Sequence, residues 1–229
     1  MGDWVTVKAE DGHQLDAYVA APEKEPVGAI VVIQEIFGVN KSIRNVADWY
    51  AREGFLAIAP ALFDRFETNV ELGYGEADLK RAFSEFYPKL DPNVSLLDVA
   101  AAFQYARRAG KPTGVVGFCY GGLMSWYSAI RGESLRMQPD GCVCYYPGGI
   151  GKVANEEPAC PVMIHFGGAD DHIGADQREA VEKAHPDVQV YVYDGVGHAF
   201  ANPDRPSFNE PAARLADERS LDFFRKHLA

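Results

Sequence analysis

The stretch VVGFCYGG, residues 115–122, sets a cysteine between glycines where an apolar strand is expected to turn sharply into a helix. The residues before the cysteine, TGVV, have the unbroken apolar character of a buried strand, and those after it, LMSWYSAI, that of an apolar helix. Gly117 and Gly121 lack the Cβ atoms that would crowd such a bend. Most buried cysteines only pack as small apolar side chains. The role of Cys119 therefore has to be inferred from the rest of the chain.

Apolar strands alternate with helices along the chain. Two short segments joined by a turn at residues 10–12 predict an N-terminal β-hairpin, and residues 63–75 are expected to be irregular. Further strands are predicted in GAIVVIQ, FLAIAP, GCVCYYP, PVMIHFGG and VQVYVYDG, and helices at about residues 41–53, 77–86, 94–108, 175–184 and 212–226. This order predicts an α/β fold in which helices cover both faces of a mostly parallel central sheet. No linker or repeat divides the chain, so residues 1–229 are predicted to form one domain.

The composition is typical of a globular protein, with 47% apolar and 24% charged residues in a chain of 229. A net charge of −11 argues against nucleic acid as a partner, because phosphate recognition requires a cationic surface. No run of about 18 apolar residues predicts a membrane span, and the acidic start MGDWVTVKAEDG does not have the pattern of a signal peptide. The four cysteines lack the spacing of a disulfide framework. We therefore expect a cytoplasmic protein, a monomer or small homo-oligomer, that binds neither nucleic acid nor a membrane.

The motif GFCYG, residues 117–121, has the spacing of the nucleophile elbow G-x-S-x-G, with a thiol in place of the hydroxyl. In open α/β sheets, ligands bind beyond the carboxyl ends of the strands, which is where this motif falls. The start of the following helix favours a thiolate. A free thiol has a pKa of about 8.5 and is mostly protonated at neutral pH, so it requires a base. The motif therefore predicts an acid and a histidine on later loops.

Both of these partners are present. Asp170, next to Asp171, follows the predicted strand PVMIHFGG, and His198 follows VQVYVYDG. The order Cys119, Asp170, His198 is the order of nucleophile, acid and base in α/β-hydrolases. A cysteine or a histidine in a glycine-rich turn is usually structural when it occurs alone. Three such residues in this order, each just after a strand, instead indicate a catalytic triad.

The chain resembles the dienelactone hydrolase family over nearly its whole length. Four motifs carry the resemblance: QEIFGVN at residues 34–40, GFCYGG at 117–122, HFGGADDHI at 165–173 and GHAF at 197–200. Members of this family are single-domain α/β-hydrolases that open lactones or esters through a cysteinyl acyl-enzyme, without a metal or cofactor. The resemblance therefore implies an α/β-hydrolase fold, a small lactone or ester as substrate, and no cofactor.

The resemblance also implies roles for individual residues. Cys119 would be the nucleophile and His198 the general base. The family spacing Asp-x-x-Ile selects Asp170 as the acid that orients the imidazole, with Asp171 as the alternative. Glu35 would face the resting thiol and help to deprotonate it when substrate arrives, since a carboxyl group in a partly apolar cleft has a raised pKa and accepts a proton. The oxyanion hole would be formed by two backbone amides, those of Ile36 and Tyr120.

The residues expected to bind the substrate depart from the family. The bacterial dienelactone enzymes hold the substrate carboxylate with two arginines, one of them four residues after the catalytic histidine. This chain has Asn202 at that position and Arg205 three residues further on. The candidate for the other arginine is Arg81. We accordingly expect substrate contacts from Arg81, Phe37 and Asn202, and the departure at Asn202 leaves the identity of the substrate open.

Two other classes of function are compatible with single features of the chain. A catalytically inactive binding protein could have the same fold, but the complete triad argues against it. A redox-sensing thiol protein would need only an exposed cysteine of low pKa and neither the histidine nor the aspartate. The hydrolase interpretation uses all three residues.

The remaining histidines and cysteines do not suggest further chemistry. His165 lies within a predicted strand, and together with His172 and the two aspartates it gives no closed set of metal ligands, so no metal is predicted. Cys142 and Cys144 alternate along one strand and face the same side. We expect them to pack rather than to react.

Overall fold

The structure is a computed structural model that describes residues 2–228, and its strands form one eight-stranded sheet. The strands are β1 Asp3–Lys8, β2 Gln14–Ala20, β3 Gly28–Ile33, β4 Phe55–Pro60, β5 Thr113–Phe118, β6 Cys142–Tyr145, β7 Val162–Gly167 and β8 Gln189–Tyr193. Their order across the sheet is β1-β2-β4-β3-β5-β6-β7-β8. The β1–β2 hairpin is antiparallel and joins β4 in antiparallel fashion, whereas β4, β3, β5, β6, β7 and β8 are parallel. The predicted sheet and hairpin are confirmed.

Helices cover both faces of the sheet. They are α1 Lys41–Arg52, α2 Glu76–Arg81, α3 Pro92–Arg107, α4 Tyr120–Arg131, α5 Ala175–Ala184 and α6 Glu210–Leu228. Helices α1 and α6 share one face, where the rings of Tyr50 and Phe224 lie 5.7 Å apart, and α3 and α4 pack together on the other. This double cover buries every residue of β3 and β5, which explains their continuous apolar sequences. Within the described residues, no helix is both long and apolar enough to span a membrane.

The segment predicted as one helix at residues 77–86 is divided in the structure. Helix α2 ends at Arg81, a wider π turn follows at Ala82–Phe86, and a 3₁₀ turn occupies Tyr87–Lys89. The π turn widens the helix locally and so changes the direction of the side chains that follow. Phe86 stacks on Phe63 with ring centroids 4.5 Å apart, which anchors this segment to the core.

Residues 63–75, predicted to be irregular, lie across the loop that follows β3. The segment overlaps a 3₁₀ turn at Leu62–Arg65. It then forms a bridge between Glu71 and Gly38, and the amide of Leu72 donates to the carbonyl of Phe37 at 2.9 Å. These contacts bring an otherwise unpatterned segment to the edge of the sheet where the candidate site lies.

The order of the strands reverses at β3, because β4 lies on one side of it and β5 on the other. Such a switch point opens a crevice at the carboxyl ends of the two strands. Ile33 of β3 pairs with Gly117 of β5, so Glu35 and Cys119 each lie two residues beyond a paired position. The loops after β7 and β8 open at the same edge. The sheet topology therefore places the predicted site residues together.

Candidate active site

Cys119 lies on the turn between β5 and α4, with φ 55° and ψ −114°. A positive φ is uncommon for a residue that carries a Cβ atom and requires support from the surrounding structure. The flanking glycines allow this turn. A Cβ atom on Gly117 would lie 1.8 Å from the carbonyl oxygen of Gly121, and one on Gly121 would lie 2.4 Å from the carbonyl oxygen of Ile33. The close approach of these backbones holds Cys119 at the edge of the sheet.

Asp170 and His198 are joined by a hydrogen bond. His198 Nδ1 lies 2.8 Å from Asp170 Oδ2, and the other carboxylate oxygen accepts from the amides of His172 and Ile173 at 2.8 and 3.1 Å. Burial raises the pKa of Asp170, but the hydrogen bond from His198 and the two amides outweigh it and leave the pKa lowered. Asp171 is exposed and makes none of these contacts. The geometry therefore pairs His198 with Asp170 rather than with Asp171.

The imidazole of His198 lies between Asp170 and Cys119. Burial lowers the pKa of His198, but hydrogen bonds with Asp170 and Cys119 outweigh that effect and raise the pKa to about 10. On its other side the ring packs edge-on against Tyr146, with centroids 5.1 Å apart. The ring is thus held between the carboxylate of Asp170 and the ring of Tyr146.

Glu35 is buried, with 2% of its surface exposed. Its Oε2 atom accepts hydrogen bonds from the Tyr74 hydroxyl at 3.1 Å and from Asn202 Nδ2 at 2.9 Å. Burial raises the pKa of Glu35, and the nearby charge of Arg205 and these hydrogen bonds only partly offset the increase. The hydrogen bonds of the described residues do not join Glu35 to the thiol.

Asn202 lies behind Glu35 and does not line the pocket that contains Cys119. It is 6% exposed, and its Nδ2 atom donates to Glu35 and to the Tyr74 hydroxyl, the latter at 2.7 Å. Its Oδ1 atom accepts from the Ser42 hydroxyl at 3.1 Å. Asn202, expected as a substrate contact, therefore holds the Glu35 carboxylate.

The cavity beside the thiol, here called the Cys119 pocket, has a volume of about 200 Å³. Its lining consists of Glu35, Ile36, Phe37, Phe83, Tyr87, Cys119, Gly148, Gly149, His172, His198 and Arg205. Phe37 lies in this lining, as expected. Arg81 does not, because it is paired on the surface with Glu67 and Glu85. The structure thus brings Phe37, but neither Arg81 nor Asn202, to the pocket.

Arg205 is the basic residue of the Cys119 pocket. Its guanidinium lies 5.4 Å from the ring centroids of both Phe37 and Tyr74. Among the residues that the structure describes, it forms no ion pair with a carboxylate within 4 Å. A cation held on aromatic rings and open to a cavity is suited to bind an anionic group of a ligand.

The two backbone amides expected to form the oxyanion hole belong to residues close to Cys119 in the fold. Ile36 lines the Cys119 pocket, and Tyr120 is the first residue of α4. Neither amide donates a hydrogen bond to another residue within 2–228. The dipole of α4 adds positive potential at this point. The two amides are therefore available to stabilise a negatively charged oxygen.

Sequence reasoning missed Tyr74 and gave no role to Arg205. Tyr74 lies in a segment without periodicity, and its hydroxyl meets Glu35, 39 residues earlier in the chain. The sequence signal for Arg205 is its place shortly after His198, on the same loop. Phe83 and Tyr87 reach the pocket through the π turn, which the helical pattern does not reveal.

His165 lies within β7 and is completely buried. Its Nδ1 atom lies 3.0 Å from the Tyr193 hydroxyl and its Nε2 atom 3.0 Å from the Ser220 hydroxyl. Burial lowers its pKa to about 3, so the ring is neutral. Within residues 2–228, no group of three or more His, Cys, Asp or Glu side chains could hold a metal ion.

A mostly parallel sheet with a sharp strand-to-helix turn after β5 and an aspartate–histidine pair after β7 and β8 defines the α/β-hydrolase fold. The chain belongs to the dienelactone hydrolase family, whose model matches residues 15–228. It is therefore a hydrolase of lactones or esters.

Three known proteins illustrate this relationship. Carboxymethylenebutenolidase of Pseudomonas putida is 32% identical over 227 residues, which are 96% of this chain and 94% of that protein. Carboxymethylenebutenolidase of Pseudomonas sp. strain P51 is 30% identical over 236 residues, with 97% of this chain and 94% of that protein covered. The crystal structure of "Putative Dienelactone Hydrolase" from Klebsiella pneumoniae superposes with a TM-score of 0.85 and 27% identity, covering 98% of each chain.

Proposed function

We propose that the protein opens small lactones or esters through a triad of Cys119, His198 and Asp170 and a cysteinyl acyl-enzyme. The observation that carries this proposal is the 2.8 Å hydrogen bond between His198 and Asp170 beside the strained turn of Cys119. A thiol, an imidazole and an orienting carboxylate in this arrangement are the parts that nucleophilic acyl transfer requires.

In the first half of the reaction, Cys119 Sγ attacks the carbonyl carbon of the substrate as its proton passes to His198, either directly or by way of Glu35. The carbonyl oxygen becomes negatively charged and receives hydrogen bonds from the amides of Ile36 and Tyr120. The tetrahedral intermediate then collapses, the C–O bond breaks, and the leaving alkoxide takes a proton from His198. The products of this half are a thioester on Cys119 and a free hydroxyl group, which in a lactone stays attached to the acyl chain.

In the second half, His198 removes a proton from a water molecule that attacks the thioester carbon. The C–S bond breaks, the thiolate regains its proton from the imidazole, and the carboxylic acid leaves. Asp170 stays ionised throughout and keeps the imidazole in the required orientation, since its carboxylate accepts from Nδ1.

Glu35 is proposed to assist the first proton transfer. It lines the Cys119 pocket, and its pKa is raised by burial, so a proton taken from the thiol is more stable there than on an ordinary carboxylate. This role requires the thiol to turn from His198 toward Glu35 during the reaction cycle. Tyr74 and Asn202 hold the carboxylate in place for such a contact.

The proposed substrate is a small lactone or ester that carries a carboxylate. Arg205 lines the Cys119 pocket and provides the positive charge that such a group needs. The name of the Pseudomonas putida relative, carboxymethylenebutenolidase, likewise describes a lactone with a carboxyl group. Arg205 would take over the task of the arginine that Asn202 replaces.

The test is a screen of the purified protein against small lactones and esters, including p-nitrophenyl acetate. We expect turnover by the wild type, none by Cys119→Ala and only a trace by Cys119→Ser, because the site is built for a thiol. Wild-type rates in Cys119→Ala would overturn the assignment of the nucleophile.

If no lactone or ester is turned over, the protein is a binding module. Alkylation of Cys119 that is unchanged in His198→Ala would favour a redox thiol.

We also propose that the protein works in a reducing compartment such as the cytoplasm. All four cysteines are free thiols, and Cys142 Sγ lies 3.7 Å from Cys160 Sγ without a bond between them. Secreted proteins usually oxidise pairs that lie this close. Fractionation of cells followed by immunoblotting would test the location.

A further inference from the structure

A second cavity lies on the other side of Glu35, and we call it the rear cavity. Its volume is about 180 Å³, and its walls come from α1, α6, the ends of β5 and β6 and the loop at residues 201–203. The lining consists of Glu35, Ser42, Ile43, Asn45, Val46, Trp49, Tyr50, Phe118, Tyr146, Ala201, Asn202, Pro203 and Asp217. Glu35 is shared with the Cys119 pocket and the other lining residues are not. No step of the proposed reaction takes place in the rear cavity.

The lining combines negative charge with aromatic surface. It contains the carboxyl groups of Glu35 and Asp217, and none of its residues, all of which lie within 2–228, is basic. Trp49, Tyr50 and Tyr146 supply aromatic rings, whose faces attract cations. A cavity of this composition favours a positively charged organic molecule over a neutral or an anionic one.

Tyr146 has a hydroxyl group without a partner. The side chain is completely buried and lines the rear cavity, and its oxygen has no hydrogen-bond partner among the described residues. Its backbone has a φ of 36°, a conformation that must be imposed by the surroundings. An unsatisfied buried hydroxyl is costly and uncommon, so this one requires an explanation. The oxygen is not exposed to the rear cavity, so a ligand there would meet it only after the Tyr146 ring turns toward the cavity.

The rear cavity is connected to the surface. A shallower groove between α1 and α6 shares Trp49, Ala201, Pro203 and Asp217 with it. The groove is also lined by the acidic residues Glu53, Glu210 and Glu218, against one basic residue, Arg214. Because Glu218 is paired with Arg214 and Glu53 with Arg225, the negative charge at the entrance comes mainly from Glu210 and Asp217.

We infer that the rear cavity binds a small organic ammonium ion with a single ring. The size follows from the volume, because an engineered cavity of about 150 Å³ in another protein holds benzene. The ammonium group would lie at Asp217 and Glu35, and the ring would lie against Trp49 and Tyr50.

A ligand bound in the rear cavity would affect catalysis through Glu35. This consequence rests on the proposed function. A cation beside Glu35 favours its ionised form, in addition to Arg205, His198, Asn202 and Tyr74, which already face it. The ligand would change kcat while leaving the Cys119 pocket free. Its kinetic signature is therefore noncompetitive with the substrate.

The test uses benzylamine, benzyl alcohol and benzoate, which share a ring and differ in charge. Binding to the whole protein is measured by calorimetry and by shifts in protein NMR signals, without turnover. We expect benzylamine to bind and benzoate not to bind. Asp217→Asn should weaken benzylamine binding about tenfold or more, since it removes one partner of a partly buried charge pair. Asp222→Asn, an exposed change on the same helix, is the matched control and should have no effect.

The test does not depend on any single variant remaining folded. The amide oxygen of Asp217→Asn still accepts from the Tyr145 hydroxyl, which preserves the contact seen at 2.9 Å. Val46→Phe fills the rear cavity and should abolish binding; if it does not fold, the Asp217 and Asp222 pair still decides. Equal binding of benzoate and benzylamine, an unaffected Asp217→Asn, or no binding at millimolar benzylamine would each overturn the inference. These outcomes are independent of ester hydrolysis, which can be removed by Cys119→Ala.

Discussion

Asp170 and Asp171 are adjacent in the chain but have opposite surroundings. Asp170 is buried and bonded to His198, whereas Asp171 is exposed. We predict that Asp170→Asn lowers kcat on p-nitrophenyl acetate by about 10³–10⁴-fold, because the amide no longer orients and stabilises the imidazole. Asp171→Asn is the matched control and should leave kcat within about twofold. The reverse ranking would place the acid of the triad at Asp171.

Arg205 and Arg81 allow an equally direct comparison. Arg205 lines the Cys119 pocket, and Arg81 is engaged in surface ion pairs. We predict that Arg205→Ala raises the KM of a carboxylate-bearing lactone about tenfold or more and changes the KM of neutral p-nitrophenyl acetate little. Arg81→Ala should change neither value. Equal effects of Arg205→Ala on both substrates would show that the arginine does not recognise the carboxylate.

The environment of Glu35 predicts the acid side of the pH profile. Glu35 must be ionised to accept a proton, and burial raises its pKa, so kcat should fall as the pH drops through that raised value. Asn202→Asp places a second carboxyl group 2.9 Å away and should raise the pKa further. The acid limb of the kcat profile should then move to higher pH.

Two further variants make this prediction specific. Asn93→Asp adds the same charge at an exposed position and should leave the acid limb in place. Glu35→Gln should lower kcat above the acid limb, where Glu35 of the wild type is ionised, because the amide cannot accept the proton. An unchanged kcat in Glu35→Gln would remove Glu35 from the mechanism.

At the scale of single elements, the elbow between β5 and α4 depends on backbone contacts that leave no room for a side chain. A Cβ atom on Gly117 would lie 1.8 Å from a carbonyl oxygen, whereas one on Gly148 has no neighbour within 4 Å. We predict that Gly117→Ala destabilises the protein by more than about 2 kcal/mol, and that Gly148→Ala changes stability by less than about 0.5 kcal/mol. Urea unfolding measures both values. A stable Gly117→Ala variant would show that the elbow can relax.

The elements differ in how well the sequence predicts them. Helix α5 lies at the predicted residues, and α6 extends two residues beyond the prediction at each end. In α6 the apolar residues recur at helical spacing and form the buried face, which includes Ala216, Phe223 and Phe224. The segment after α2 was mispredicted because a π turn preserves a helical composition while changing the hydrogen-bond pattern. Local pattern carries little information about that difference.

At the scale of the whole molecule, the charged pair of Asp170 and His198 links stability to pH. The pKa of Asp170 is lowered from 3.8, so its stabilising contribution is present above that value and is lost as the pH falls through the lower one. The pKa of His198 is raised from 6.5 to about 10, so its contribution is complete below 6.5 and is lost as the pH rises toward 10.

We therefore predict that the wild type exceeds Asp170→Asn in stability most clearly between pH 3.8 and 6.5. The difference should shrink toward both more acidic and more alkaline pH. Urea unfolding of the two proteins across this range provides the measurement. A difference that stays constant with pH would mean that the pair is not charged in the folded state.

The sequence predicts the frame of the molecule better than the details of its site. Buried parallel strands and a hairpin are visible in local patterns, and the order of Cys119, Asp170 and His198 follows from the fold class. The environment of Glu35 is different, because Asn202 is 167 residues away in the chain. Such contacts depend on which loops pack together in three dimensions. Loop sequences have no hydrophobic periodicity, so these contacts cannot be predicted from local pattern.

The complete burial of His165 has a practical consequence for NMR measurements in solution. The protein has six histidines, and the ring of His165, with a pKa of about 3, stays neutral throughout the neutral range. Its imidazole resonances should remain fixed as the pH changes within that range. The protein therefore contains its own chemical-shift standard. Any movement of that signal when a ligand is added would report a change in packing beneath the sheet rather than a change in protonation.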